Sequence, residues 1–500
     1  MPSKPCRSAV PWTSHADYQA HARSALAAAC ASLDVAKSLW AYQHAAVLLW
    51  VANLDPLAPI VQAVYKGHGL VGRPPRDPGA MLRTWLLATT LQCTSPDDWA
   101  RRLATDSVLA ILSGFDPADT PGASTLRDFL SRLVRTMRRR ARCHRPHRAC
   151  GKGPGKGKKK PLRRPDLLWR LQVRLPRFAP GDEGPLQELL AAIAHGSAER
   201  GLIDLAHLSV AGDSTLLPAH VNPYGRRTCA CPPGTPCTHL RRFTDGDATW
   251  GWDSSRNSFI FGHRFYELTA AGAPHDLPLY LRAVGADRHD APSWLLCWHD
   301  FRRYYSDADV FRVLLDSAHD AGAIFDDLER ASVQAIIDLN PAHHHKHPLH
   351  LTDDGIPLCA CGQPMAPDGS SRGRLKFVCP RRRKRAAGDQ PPCPHALYLA
   401  GTESFRLHPG LARGTQAWRL AYNGRTGTER SHTRKRNDLG QVPCRRRSRP
   451  TRTAHYFLAA YVQHFAAWTA HSGLRIEAIF RAALQPHLST LLPLPRGAAA

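Results

Sequence analysis

The chain has no run of about 18 apolar residues, the length a helix needs to cross a bilayer, so no membrane anchor is expected. Met1 to Thr13 are polar and proline-bearing and lack the apolar centre of a secretory signal. The expected compartment is therefore a reducing cytoplasm, in which the 14 cysteines serve as thiols or metal ligands rather than disulfides. Acids are also scarce: 41 Asp and Glu stand against 67 Lys and Arg, leaving a net charge of +26. Such an excess asks for a polyanion, because each phosphate neutralised releases counterions, and nucleic acid is the first candidate.

What is present suffices for more than one hydrophobic core. Five hundred residues, 43% of them hydrophobic, favour two or three domains. Residues 1–135 are expected to be helical, with apolar positions three and four apart at Ala80, Leu82, Leu86 and Leu87 and again at Leu103, Leu109, Ile111 and Leu112. Ser95 before Pro96 and the stretch Pro121 to Thr125 are helix starts. Such a region is either a helical bundle or a DNA reader.

From Arg135 to Arg164 there are 14 Lys or Arg and no acid, interleaved with Gly and Pro, so residues 136–166 are expected to form a basic linker. Within it Cys143, His147 and Cys150 form a weak candidate metal group. Residues 167–475 change pattern. Strand-like runs occur at Leu205 to Val210, Ser258 to Leu268, Leu277 to Val284, Phe311 to Leu315 and Val333 to Leu339, with a helix expected over Ala323 to Ala331 and another through Tyr456 to Ala470. This predicts an α/β core. Residues 222–245 and 341–400 read as insertions, and 476–500 as a C-terminal tail.

Three acids stand out. Asp213 follows the run His207 to Gly212, Asp316 ends the run Phe311 to Leu315, and Glu429 lies among arginines in the segment Tyr422 to Arg436. Carboxylates at the ends of buried strands are where α/β folds place chemistry, and hard oxygen ligands suit the paired Mg²⁺ ions that activate water and stabilise both oxygens of a phosphodiester. Taken singly, an Asp at a strand end is more often a helix cap, and a Glu among arginines a surface ion pair.

Taken in order, these segments resemble the DDE transposases of bacterial insertion sequences. The resemblance rests on Gly212-Asp213-Ser214-Thr215, Leu315-Asp316-Ser317-Ala318-His319-Asp320, the strand end Ile337-Asp338-Leu339-Asn340, and the spacing of Tyr422, Arg425 and Glu429. In one branch of that family the third acid lies in a signature of Tyr, two residues, Arg, three residues, Glu, six residues, Lys. Here Arg436 stands where that Lys is expected, with Lys435 beside it. Gly72-Arg73-Pro74-Pro75, Asp77-Pro78, Leu112 to Phe115 and Ser124-Thr125-Leu126 look like the helical domain that precedes the family's catalytic core.

The resemblance implies an RNase H-like core preceded by an all-helical domain that binds terminal inverted repeats. It implies Asp213, Asp316 and Glu429 as ligands of two Mg²⁺ or Mn²⁺ ions, with Asp320 and Asp338 as rivals for the second acid. Tyr422, Arg425, Lys435 and Arg436 would contact DNA. The implied reaction is cleavage at the element's ends followed by strand transfer into target DNA, by a homodimer on double-stranded DNA, in the bacterial cytoplasm at the nucleoid. Two other readings use the same features: a catalytically inactive, transposase-derived DNA-binding protein or repressor, and a nuclease without strand transfer.

Cysteines cluster twice. Cys359, Cys361, Cys379 and Cys393, with His395 as a spare ligand, are candidates for structural zinc in a ribbon, and Cys229, Cys231, Cys237 and His239 form a second group soon after Asp213. His343, His344, His345 and His347 read as a polar loop, and Trp250 and Trp252 as aromatics packed on the sheet or free to stack on an unpaired base.

Overall fold

A computed structural model describes residues 10–65, 74–134, 144–145, 164–178, 181, 183–232, 239–254, 256–340, 352, 356–382, 393–400, 406, 410–411, 413, 415–442 and 446–491. Up to Val134 the described residues form helices and turns only: α1 His15–Ala29, α2 Leu33–Ala41, α3 Gln43–Val51, α4 Ala58–Ala63, α5 Pro78–Thr90, α6 Pro96–Thr105, α7 Ser107–Ser113 and α8 Ala123–Leu133. Their starts follow from local chemistry. The Asp77 carboxylate accepts from Gly79 N ahead of Pro78, and the Ser95 hydroxyl accepts from Asp98 N ahead of Pro96. Asp106 caps α7, which ends at Gly114 with φ 88°, a left-handed turn that suits glycine.

The remainder is mixed. Strand β1 is His144–Arg145, and helices α9 Arg164–Arg174 and α10 Gly184–Glu199 follow. Next come strands β2 Leu208–Pro218, β3 Arg226–Arg227, β4 Arg241–Arg242, β5 Thr249–Asp253, β6 Ser258–Ala271 and β7 Pro278–Gly285, and helix α11 Asp290–Tyr304. Then come β8 Val310–Leu315, α12 Gly322–Arg330 and β9 Gln334–Ile337, a small sheet of β10 Ala366–Ser371, β11 Arg374–Val378 and β12 Ala396–Ala400, and helices α13 Gln416–Asn423, α14 Thr426–Thr433 and α15 Arg449–Ser472.

The main sheet has six strands. Its order is β5-β6-β2-β8-β9, with β7 also pairing β6. β6 runs antiparallel to β2, β5 and β7, whereas β2, β8 and β9 run parallel. The parallel strands are buried on both faces, which makes their sequences nearly continuous apolar runs. Val210, Val313 and Ala335 point into the large core, and their neighbours Ala211, Leu314 and Ile336 point to a second cluster closed by Trp418 of α13.

A single apolar core runs from Tyr18 to Leu484 and joins the amino-terminal helices to the sheet. Helix α15 makes the join. It packs on α3 and α5 on one side and on α10 and β7 on the other, so Ala454 to Phe465 are buried all round. At its start the Arg452 guanidinium donates to the carbonyls of Leu217 (3.2 Å) and Pro218 (2.7 Å), tying α15 to the end of β2. No single helix among the described residues is long and apolar enough to cross a membrane.

Candidate active site

Two of the expected acids are neighbours on the main sheet, and the third is linked to them through Arg425. Gly212 of β2 pairs in parallel register with Leu315 of β8, so Asp213 and Asp316, one residue further on, are neighbours across the two strands. Asp213 does not end its strand as expected: β2 continues to Pro218, and Asp213 lies opposite Glu267 of β6. The strand continues through Asp213-Ser214-Thr215 because polar partners wait on both faces: the Ser214 hydroxyl donates to Asp290, and the Thr215 hydroxyl on the other side accepts from Arg436 Nη1. Gly212 is required for close approach, since a Cβ there would stand 2.9 Å from Leu315 Cδ2 and 3.0 Å from the Trp294 ring.

Helix α14 packs across β2 and β6 and brings in the third acid. Thr428 and Ser431 point to the sheet, where the Thr428 and Thr269 hydroxyls lie 2.7 Å apart and the Ser431 hydroxyl donates to Glu267 at 2.5 Å. Arg430 anchors the helix to the β6–β7 turn by a two-pronged pair with Asp276 (2.8 and 2.7 Å). Glu429 is left on the open side, where Arg425 Nη1 donates to it at 2.6 Å. The Arg425 guanidinium also lies over the Tyr422 ring, 5.3 Å from its centre. Asp213 and Glu429 both favour its charged form, and its charge in turn favours the ionised Asp316 carboxylate.

The two aspartates have opposite electrostatics. Burial, then the charges of Asp290 and Asp316, push the Asp213 carboxyl up to about 7. Asp316 is also penalised by burial, but the hydrogen bond and charge of His319, with Ala318 N and Arg425, outweigh that and hold it below its ordinary value. His319 Nδ1 is 2.6 Å from Asp316 Oδ1, and its Nε2 is 2.7 Å from the Tyr266 hydroxyl. Burial works against the imidazolium, yet Asp316, Asp290 and Asp213 together raise the His319 pKa. A proton shared along this pair keeps Asp316 anionic next to an acid that resists ionising.

Of the residues expected to meet DNA, Arg436 is half-buried beside the acids, its Nη1 3.4 Å from the Thr215 hydroxyl. Tyr422 stacks on Trp418 at 4.5 Å. Lys435 is a correction. Its side chain is wholly buried, with Nζ 2.8 and 3.0 Å from the Glu267 carboxylate and 2.7 Å from the Ser431 hydroxyl, so it holds the helix to the sheet and no phosphate can reach it. Asp320, a rival for the second acid, is buried in an ion pair with Arg406 (2.5 and 2.7 Å) and accepts from Asn340 N. Asp338 follows β9, where its carboxylate accepts from Leu339 N.

One site residue escaped the sequence reading, and a second was noticed there without its role. Asp290, in the first turn of α11, accepts from the Ser214 hydroxyl and from Arg264 Nη1 (3.1 Å). Its one signal is an acid two residues before a proline, a common helix start. The role of His319 was marked only by its place three residues after Asp316.

The metal ligands fit unequally. Asp213 and Asp316 offer hard oxygens at a place where negative charge accumulates, but Glu429 is turned to Arg425. Among the described residues, the groups of three or more whose ligand atoms lie within 4.8 Å of one another are both cysteine clusters. Cys359, Cys361, Cys379 and Cys393 form one of them, and this set can hold a metal ion. Cys359 Sγ is 3.3 Å from Cys393 Sγ, Cys361 Sγ is 3.6 Å from Cys379 Sγ, and His395 Nδ1 is 3.2 Å from Cys393 Sγ. Three of the four thiols are buried with Met365 beside the three-stranded sheet β10-β11-β12. Tetrahedral zinc with thiolate bonds of about 2.3 Å needs such crowding of sulfur.

Cys229, Cys231 and His239 form the second group. Cys237, expected with them, lies outside the described residues, as do Gly72, Arg73, Cys143, His147, Cys150 and the run His343 to His347. Trp250 packs edge-on against Phe261 at 5.5 Å, whereas Trp252 and Phe259 form an exposed edge-to-face pair. No protein-family model matches the chain, and no curated protein matches it.

Proposed function

We propose that this chain is an insertion-sequence transposase of the DDE type, which cuts DNA at the element's terminal inverted repeats and transfers the freed strands into target DNA. One observation carries the reading. Asp213, Asp316 and Glu429, more than a hundred residues apart in sequence, are mounted on the central strand β2, just past the end of its parallel neighbour β8, and on the helix that packs across β2 and β6, with Arg425 felt by all three. The strand order, with three antiparallel strands continued by two parallel ones, supports an RNase H-like core. The net charge of +26 supports a DNA partner.

Asp213, Asp316 and Glu429 would hold two Mg²⁺ or Mn²⁺ ions, which supply Lewis-acid stabilisation of the attacking and leaving oxygens. The chain's own groups prepare that site. His319 keeps Asp316 ionised, while Asp290 and Asp316 make Asp213 a carboxylate whose charge is relieved by a cation. In holding an ion Glu429 would give up its bond from Arg425, which with Tyr422 and Arg436 would then be available to DNA phosphates. The cluster of Cys359, Cys361, Cys379 and Cys393 would hold a structural zinc. Two ends are joined at once, so the working assembly is a homodimer on DNA.

The test is cleavage and strand transfer on DNA carrying the sequences that flank the gene, with Mg²⁺ or Mn²⁺. Asp213→Ala, Asp316→Ala and Glu429→Ala should each abolish both steps and keep end binding. A wild-type chain that binds ends without cutting them would point to a DNA-binding descendant, and cutting without strand transfer to a nuclease.

A further inference from the structure

We propose that the hairpin β3–β4 is a second zinc site, with Cys229, Cys231 and His239 as ligands. This hairpin stands apart from the acids and holds itself together poorly. Only two residue pairs join its strands, Arg226 with Arg242 and Arg227 with Arg241, and both set arginine against arginine. Like charges directly opposite are destabilising, and so short a two-stranded ribbon does not hold itself in water. The third strand of this small sheet, β1, adds two more residue pairs, Arg145 with Arg241 and His144 with Arg242. Apolar support comes at the base, where Phe243 joins Ala248 and Phe261 in a small buried cluster edged by Ala219, Val221 and Trp250. Beyond the ladder the Thr228 hydroxyl donates to the Leu240 carbonyl at 3.0 Å, a neutral surface bond that leaves the far end in need of a stronger tie.

At that far end two sulfurs and an imidazole converge. The ligand atoms of Cys229, Cys231 and His239 lie within 4.8 Å of one another, and Cys231 Sγ is 3.4 Å from His239 Nδ1. Tetrahedral zinc, with bonds of about 2.3 Å to sulfur and about 2.0–2.1 Å to nitrogen, sets neighbouring ligands roughly 3.5 Å apart. Cys229 and Cys231 lie just after β3 and His239 just before β4, so the ion clamps the two strands where the ladder gives out. Its two positive charges are balanced by the two thiolates, which adds nothing to the arginine repulsion. The clamp also fixes the strand to which residues 144–145 pair.

Zinc content of the full chain, purified with Zn²⁺ and without chelator, tests the proposal. Wild type should carry two zinc ions, Cys229→Ser/Cys231→Ser one, and Cys359→Ser/Cys379→Ser one. Equal zinc in wild type and Cys229→Ser/Cys231→Ser would overturn it. Should that double variant fail to fold, His239→Ala serves, because this ring is exposed. Zinc should then leave the site to a chelator at least tenfold faster, with His239→Cys restoring retention, and unchanged release from His239→Ala would equally overturn the assignment.

Discussion

Asp213→Asn, measured without divalent metal, should stabilise the folded chain, by an amount that pH controls. The carboxyl is moved from an ordinary 3.8 to about 7 by burial and by Asp290 and Asp316. A carboxyl raised on folding contributes stability that is intact below the unfolded value and lost as pH rises through the folded one. At low pH both states keep the proton, so the substitution is silent. In between, the unfolded chain has released its proton and the folded chain has not, so wild-type stability falls with each unit of pH and levels off above the folded value. Three units at about 1.4 kcal/mol each set a ceiling of about 4 kcal/mol for the wild-type penalty at pH 8. Asn removes the charge and keeps an oxygen for the bond from Ser214 N, 2.7 Å in the wild type. For a chain this size unfolding as one unit, 4 kcal/mol is roughly 4 °C in Tm. Scanning calorimetry with chelator at pH 8 and pH 4.5 should show Asp213→Asn melting several degrees higher at the first pH and within about 1 °C of wild type at the second. Equal or lower melting at pH 8 would refute the electrostatic account of the site.

Lys435→Met should cost about 3–5 kcal/mol in urea denaturation, because Glu267 is left charged and buried, while Glu267→Gln/Lys435→Met should lose much less than the two single changes added together. Arg436→Ala should weaken binding of end DNA and lower the slope of log affinity against log salt by about 1, with Arg436→Lys keeping the slope, as gel-shift titrations would report. Gly212→Ala should cost about 1–3 kcal/mol by thermal melting, because its methyl group meets Leu315 and Trp294.

The core strands were legible because parallel strands buried on both faces read as apolar runs. Ser258 to Leu268 became β6 Ser258–Ala271, and Phe311 to Leu315 became β8 Val310–Leu315. The second half of β2 was hidden: Asp213-Ser214-Thr215 breaks the apolar run because it faces polar neighbours, and so it read as a strand end. Asp316 was found at its strand end, but Asp290 was not, since nothing in sequence ties the start of α11 to a strand more than seventy residues earlier.

Lys435 was readable in principle. Thr428, Ser431 and Lys435 recur at three and four and mark the inward face of α14, whereas Arg425, Glu429 and Arg436 fall on the other. Local charge hid that phase, since Lys435 and Arg436 look equivalent until the helix is docked. The stretch Arg434–Asp438 also winds as a π turn, a shift in phase that sequence spacing does not announce.

The measurement that tests the central claim most directly is end cleavage by Asp316→Cys in Mg²⁺ and in Mn²⁺, beside wild type. A thiolate is a poor ligand for Mg²⁺ and a better one for a softer ion. If Asp316 holds a metal, cleavage should vanish in Mg²⁺ and return in part in Mn²⁺, while wild type cuts with both. Wild-type activity of Asp316→Cys in Mg²⁺ would contradict the account and remove Asp316 from the reacting centre.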